Sequence, residues 1–289
     1  MKKSVCIMVL CIVILSVGTC LFGLLSGGGN GNYEFQSINN ETVTINGTGL
    51  YKNDSVSATA QGKASDFVTL FMAVPLLLGS LYFTQKGSFR GKILLTGTLG
   101  YFLYTYISYT FLWMYNPLFI IYVAIMSLSL FAFIQAMTSF DLENIISNFK
   151  KQLPVKILGG FQIFIAFALA MLWLGKISPS IFQGLVPVGL EHYTTLVIQG
   201  MDLGFVVPAA LLSGILLIKK RSLGYLLSSV IIVKSITMLT CISAMIVNMS
   251  REGVKMSMVE AMLFPMFNLL AVGCLILLLK NTMSEKHHV

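Results

Sequence analysis

The chain has 289 residues, of which 56% are hydrophobic and 10% charged, with a mean hydropathy of +0.84. Soluble domains carry about 25% charged residues, so an ordinary soluble enzyme, a disordered chain and a disulfide scaffold are excluded, and lipid is the expected solvent for most of the surface. Lys and Arg outnumber Asp and Glu by 19 to 11, but the excess falls in short loops between apolar runs rather than in a basic stripe, which argues for membrane topology and against nucleic acid.

The N-terminus, Met1-Lys2-Lys3 followed by an apolar run, has the form of a signal peptide, and Val17-Gly18-Thr19-Cys20 faintly matches a lipoprotein cleavage box. Thr19 suits such a cut poorly, and the run continues to Leu25, so an uncleaved first span over residues 1–25 is the expectation. Residues 26–65 are polar and open with Ser26-Gly27-Gly28-Gly29-Asn30-Gly31. Within them Glu41-Thr42-Val43-Thr44-Ile45 alternates, Asn46-Gly47 follows, and Leu50-Tyr51 comes after. Asn-Gly between β-formers predicts a small extracytoplasmic β-hairpin turning at Asn46-Gly47. Asn40, Asn46 and Asn53 match glycosylation sequons, a pattern common in Asn-rich loops.

Eight apolar runs are long enough to cross a bilayer: Val5–Leu25, Phe67–Phe83, Ile93–Trp113, Pro117–Met137, Ile157–Leu174, Tyr193–Ile218, Leu223–Val247 and Met258–Leu279. None alternates, so helices and not barrel strands are expected. The fold class is therefore all-α: a polytopic membrane bundle of about eight helices with a small outer hairpin. Residues 66–280 form seven of its spans and 281–289 a tail. Placing both termini in the cytoplasm puts Lys86, Arg90 and Lys92, Lys150, Lys151 and Lys156, and Lys219, Lys220 and Arg221 inside, the arrangement basic residues favour. Trp113 and Trp173 then fall at outer ends, where indoles sit at the interface. Thr138–Lys156 reads as a short interfacial helix. No internal repeat is evident, and the two sets of four spans show no matched helix breaks.

Two charges lie inside predicted spans. Asp202 is about 15 Å of helix from His192, and Lys234 about 18 Å from Ser222, so both fall near the middle of a core about 30 Å thick. Isolated charges there cost at least about 2.5–3.5 kcal/mol each. The spans are consecutive and antiparallel, so Asp202 is expected to face Lys234 inside the bundle. Asn268 shares a face with Glu260, and Thr195 and Gln199 share the Asp202 face. Tyr101, Tyr104, Thr105 and Ser108 form a helical stripe, and Pro208 frees the carbonyl of Gly204 beside the acid. Asp66, Asn116, Glu191, His192 and Glu260 lie near the outer surface. Together these residues suggest a polar cavity open to the outside, with the charged pair at its floor.

Plainer readings compete at each place. A buried pair can serve only to fix helix register. Asp66 after Ser65 reads as a helix cap, Glu191 and Glu260 as helix-starting acids, and the tyrosines as packing. Cys6, Cys11, Cys20, Cys241 and Cys274 lie in apolar runs without a CxxC pair, so no metal site is expected. There is no Walker loop, HExxH or GxSxG, and no cofactor or catalytic residue is assigned. A Schiff base on Lys234 is chemically conceivable, but the rest of the chain does not look like a retinal protein.

Three stretches carry a resemblance: Gly62-Lys63-Ala64-Ser65-Asp66-Phe67-Val68-Thr69-Leu70 leading to Pro75-Leu76-Leu77; Gly100-Tyr101-Phe102-Leu103-Tyr104-Thr105-Tyr106 running to Asn116-Pro117-Leu118-Phe119 and Tyr122; and Asp202-Leu203-Gly204-Phe205-Val206-Val207-Pro208. They resemble a group of uncharacterised prokaryotic multi-pass integral membrane proteins without an established activity. The resemblance draws attention to Asp66, Tyr104, Asn116 and Asp202, whereas Lys234 lies outside the matching stretches. The leading expectation is a carrier or binding protein for a small polar solute or ion, in which Asp202 and Lys234 form a coupling pair supported by Asn268, Gln199, Tyr104, Tyr101, Asp66 and Glu260. The alternative is a non-transporting sensor or assembly component that uses the outer loop; a membrane enzyme comes third.

Overall fold

The computed structural model describes residues 3–283, apart from the side chain of Glu260. It is an all-α bundle with one small antiparallel sheet. Among the described residues seven helical segments are long and apolar enough to cross a membrane: α1 (Lys3–Leu25), Val56–Gln85, α5 (Phe119–Thr138), α6 (Val155–Gln183), Val197–Ile218, α9 (Ser222–Arg251) and the Ala261–Lys280 part of α10 (Met258–Lys280). The eighth, α4 (Phe89–Phe111), has the length but carries many Thr, Gly and Tyr residues and is less apolar. Most of α4 is buried among its neighbours. Those neighbours face the surroundings in its place, so α4 does not need an apolar exterior.

Two of the segments are broken helices. Val56–Gln85 consists of α2 (Val56–Val68), a π-helical turn at Thr69–Ala73 and α3 (Val74–Gln85). Val197–Ile218 consists of α7 (Val197–Met201), a π-helical turn at Asp202–Val206 and α8 (Val207–Ile218). Such turns widen a helix and leave backbone groups without their usual partners.

These breaks match, contrary to the expectation of no repeat. Val74-Pro75 follows the first turn and Val207-Pro208 the second, with Val74 N bonded to Thr69 O and Val207 N to Asp202 O. Both helices then end in the same tight turn. Lys86 N bonds Tyr82 O at 3.2 Å and Lys219 N bonds Ile215 O at 3.0 Å; Ser88 N bonds Phe83 O at 3.0 Å and Arg221 N bonds Leu216 O at 2.9 Å. Between them Gly87 and Lys220 are both left-handed, at φ 88° and 54°. Gly91 and Gly224 start the next helices pressed against the backbones of Thr84 and Leu217. Every one of these pairs is separated by the same number of residues. In α5 and α10 the buried positions also share one spacing, Ile125, Ser129, Ala132, Ala136 against Phe267, Ala271, Cys274, Leu278. The chain is thus two four-span halves running in the same direction. Few side chains repeat, because what repeats is backbone conformation.

The halves meet where α4 crosses α9. A Cβ on Gly97 would stand 2.9 Å from the Val230 carbonyl oxygen and would overlap Val233. Gly97 and Gly100 occupy in α4 the places that Val230 and Val233 occupy in α9, so the crossing lies on the axis relating the halves. Within the second half, Gly159 of α6 and Gly214 of α8 bring two backbones together, and Ser213 donates to the buried Gln162 beside them. Small residues permit such close packing where lipid supplies no hydrophobic drive.

Three local expectations are corrected. The sheet pairs β1 (Tyr33–Gln36) with β2 (Thr42–Ile45), Tyr33 opposite Ile45, so the hairpin turns at residues 37–41. There Ser37 Oγ accepts from Asn39 N and Glu41 N. Asn46-Gly47 instead leads the chain back to the bundle, and Leu50 and Tyr51 are core residues at 6% and 1% exposure. The second span begins at Val56, not Phe67. Ser55 caps it through Ala58 N, and Ala60 and Ala64 are buried, so its small residues carry a packed face that hydropathy does not register. Asp66 is therefore inside a helix and is not its cap. Finally, between the end of α5 at Thr138 and the start of α6 at Val155 the helical content is one 3-10 turn, Ile145–Asn148. Asp141 Oδ1 accepts from Glu143 N at 3.1 Å, and Lys150 N bonds Asn281 O at 2.8 Å, ties that compete with a continuous helix. Residues 284–289 of the expected tail lie outside the described residues.

The crossing makes a direct prediction. Gly97→Ala should destabilise the detergent-solubilised protein by about 1–3 kcal/mol through overpacking. Gly100→Ala, whose Cβ would meet only side-chain atoms at 3.5 Å or beyond, should leave thermal unfolding nearly unchanged. Equal melting of the two variants would refute this view of the crossing.

Candidate functional site

Asp202 is the first residue of the second π-helical turn and is 8% exposed. Its helix starts only at Val197, because residues 184–196 form a loop. The acid is thus about 8 Å from that end of its span, nearer the hairpin side than the sequence suggests. Its carboxylate has two donors: Tyr104 Oη gives to Oδ1 at 2.8 Å, and Trp173 Nε1 gives to Oδ2 at 2.8 Å. Lys234 rises from α9 past Gly100, and its Nζ sits 4.1 Å from the centre of the Tyr104 ring. Among the described residues Lys234 and Asp202 make no ion pair within 4.0 Å. Tyr104 serves both charges, its ring face meeting the ammonium and its hydroxyl the carboxylate.

The first half offers an internal comparison. By the common separation, Thr69 stands where Asp202 stands, and Tyr101 where Lys234 stands. Thr69 Oγ1 and Tyr101 Oη are hydrogen bonded at 2.8 Å. The same place in the fold therefore holds a closed neutral pair in one half and two opposite charges held apart by a tyrosine in the other.

The remaining sequence candidates lie elsewhere. Asn268 bonds Thr240, with Nδ2 to Oγ1 at 3.2 Å, and so links α10 to α9. Gln199 lies in α7, one turn before Asp202. Asp66 is held by Tyr51 and Tyr109. The Glu260 side chain is outside the described residues. Asn116 Oδ1 accepts from Leu118 N at 3.0 Å at the start of α5. Of the eight named residues, the structure brings together Asp202, Lys234 and Tyr104. Trp173, expected in an interfacial belt, is the residue that sequence reasoning missed; a Trp on the span before Asp202 carries an N–H that needs a partner.

The sequence reading expects a polar cavity with the charged pair at its floor. An open cleft at the hairpin side, about 510 Å3, is walled by Glu41, Glu191, Glu252, Ser55 and their neighbours, and neither Asp202 nor Lys234 lines it. A cap lies between. Asp54, 1% exposed, accepts from Met114 N at 3.0 Å and from Tyr193 Oη at 2.9 Å, fastening the 184–196 loop to the end of α4. His192 Nε2 lies 3.0 Å from Asn53 O. Burial raises the Asp54 carboxyl to about 6 against the opposing Met114 and Tyr193 donors, and burial raises that of Glu191 too, with the Ser55 hydroxyl opposing. Among the described residues no cluster of His, Cys, Asp and Glu is arranged to hold a metal. Comparison with family models, curated proteins and solved structures gives no match.

The cap should respond to pH. The folded state binds more protons than the unfolded chain between the ordinary aspartate value of about 3.9 and about 6 at Asp54. Its stability contribution is therefore greatest below that window and falls as pH rises through it. Hydrogen exchange over residues 46–55, corrected for intrinsic rates, should show a cap weaker by about 1–3 kcal/mol at neutral pH than at mildly acid pH. Asp54→Asn should flatten the dependence; an unchanged slope in that variant would count against Asp54 as its source.

Proposed function

We propose that the protein is a multi-pass membrane carrier for a small polar solute or ion, with both termini cytoplasmic and with Asp202 and Lys234 as its coupling groups. The observation that carries this reading is the site at the second helix break: two opposite charges share one tyrosine without closing on each other. Carriers of the parallel-repeat type place their sites at helices interrupted in corresponding positions of the two halves, and the turns before Pro75 and Pro208 are such a pair. Pro75 and Pro208 have no N–H to give, so each break is a point where a span can bend.

In this arrangement Tyr104 and Trp173 satisfy the carboxylate while Lys234 rests on the Tyr104 ring. A proton on Asp202 removes the charge that orients both donors. A polar solute entering between Asp202 and Lys234 displaces Tyr104 and takes its place between the charges. Either event biases the Asp202–Val206 turn and so the angle between α7 and α8. The cap holds the path from the hairpin side closed in this conformation.

The test is solute-evoked current from proteoliposomes on a solid-supported membrane, using a panel of amino acids, sugars, organic acids and inorganic ions. Wild type should respond to at least one member. Asp202→Asn and Lys234→Met should each reduce that current by about tenfold or more, with melting temperatures close to wild type. Tyr104→Phe, which keeps the ring and removes the donor, should have an intermediate effect. A silent wild type, or folded variants with full current, would overturn the proposal.

A further inference from the structure

The first half has a buried acid of its own within a span. Asp66 lies in α2, one turn before the first break, and is 2% exposed. Tyr51 Oη donates to its Oδ2 at 2.7 Å and Tyr109 Oη to its Oδ1 at 2.9 Å. Among the described residues no Lys, Arg or His stands within 4.0 Å of it. The other titratable groups around it come from every side: Cys20 of α1, Tyr106 of α4, Tyr122 of α5 and Cys241 of α9. Tyr122 is 1% exposed, its hydroxyl buried near Tyr51 and Asn116.

Close approach is built into the backbone. A side chain on Gly23 would overlap Asp66 Oδ2, and one on Gly62 would stand 3.2 Å from the Tyr51 ring. Tyr51 itself belongs to the segment that follows the hairpin. Its carbonyl is bonded by Asp54 N at 3.0 Å, and Leu50 N bonds Ser26 Oγ at 2.8 Å. Its ring packs 5.8 Å from Trp113. The cap thus inserts one phenol between the acid and the hairpin side.

The chemistry of the donors selects the ligand. A metal ion needs several oxygens with lone pairs turned inward; here two phenols already point their protons at the carboxylate. A proton needs a single lone pair. Once Asp66 carries it, the carboxyl is neutral and becomes a donor itself. A buried carboxylate without a cation partner has protonation as its remaining route to neutrality.

We propose that Asp66 is a proton-binding site distinct from Asp202, closed toward the hairpin side by Tyr51. Asp66 and Asp202 are reached from α4 by different tyrosines, Tyr109 and Tyr104, so neither shares a donor with the other. The site stands independently of solute transport, and its test reads no flux.

The full-length protein in lipid nanodiscs is treated with dicyclohexylcarbodiimide, which converts a protonated carboxyl in apolar surroundings into a stable acylurea, and the adduct is located by peptide mass spectrometry. Wild type should be labelled at Asp66, with a rate that falls at least tenfold between about pH 5 and about pH 9. Asp202→Asn should keep this labelling. Tyr51→Ala should admit a water-soluble carbodiimide to Asp66 at least about tenfold faster than wild type, whereas Tyr51→Phe, which keeps the ring, should stay close to wild type. Absence of an Asp66 adduct, or a rate independent of pH, would overturn the proton site. Equal water-soluble labelling of wild type and Tyr51→Ala would overturn the closure by Tyr51.

Discussion

Buried polar groups in this bundle must find their partners within the protein, and α4 is where many of them do. Four tyrosines on that one helix reach four different segments: Tyr101 bonds Thr69 of the first break, Tyr104 bonds Asp202 of the second, Tyr106 lies 3.1 Å from Thr19 of α1, and Tyr109 bonds Asp66 of α2. A phenol spans the distance between packed helices with an apolar ring and delivers its hydroxyl at the far end. Each bond supplies a partner to polar groups held away from water. The low apolarity of α4 follows from this work, and so does its place at the centre.

The two halves show what the same backbone can hold. Each has a π-helical turn, a Val-Pro step, a left-handed turn residue and a close-packed glycine at the start of the next helix. Where the first half closes Thr69 on Tyr101, the second carries Asp202 and Lys234 with Tyr104 between them. A closed neutral pair has one stable arrangement. Two charges sharing a mediator are each satisfied by a third group and not by one another. The asymmetry of the site thus arises from a few side chains on a symmetric frame.

The cap is joined to both acids by different means. Tyr51 covers Asp66 directly. Over the second half, Asp54 and Tyr193 hold down the loop that precedes α7, the helix leading to Asp202. The hairpin strands themselves are largely exposed, so the cap is anchored by the residues after the hairpin, and it is these that seal the bundle.

The amino-acid sequence by itself determined the membrane-spanning helical class and the presence of a small hairpin, because lipid imposes long apolar runs that composition cannot hide. It also pointed to Asp202, Lys234 and Tyr104, since charge and aromatic hydroxyls are conspicuous against an apolar background. Only the tertiary structure decided their relation: Tyr104 stands between the charges, Trp173 completes the carboxylate, and Asp66 belongs to a different cluster. Such pairings depend on the rotation of each helix about its axis, which is set by packing of small residues such as Gly97 and Gly214. The repeat was hidden for a related reason. It is a pattern of backbone conformations, and a left-handed turn residue is met equally by Gly87 and Lys220, so two unlike sequences trace one path. The start of α2 was missed because its alanines and hydroxyl residues pack inward without being hydrophobic, a property that depends on what lies opposite them.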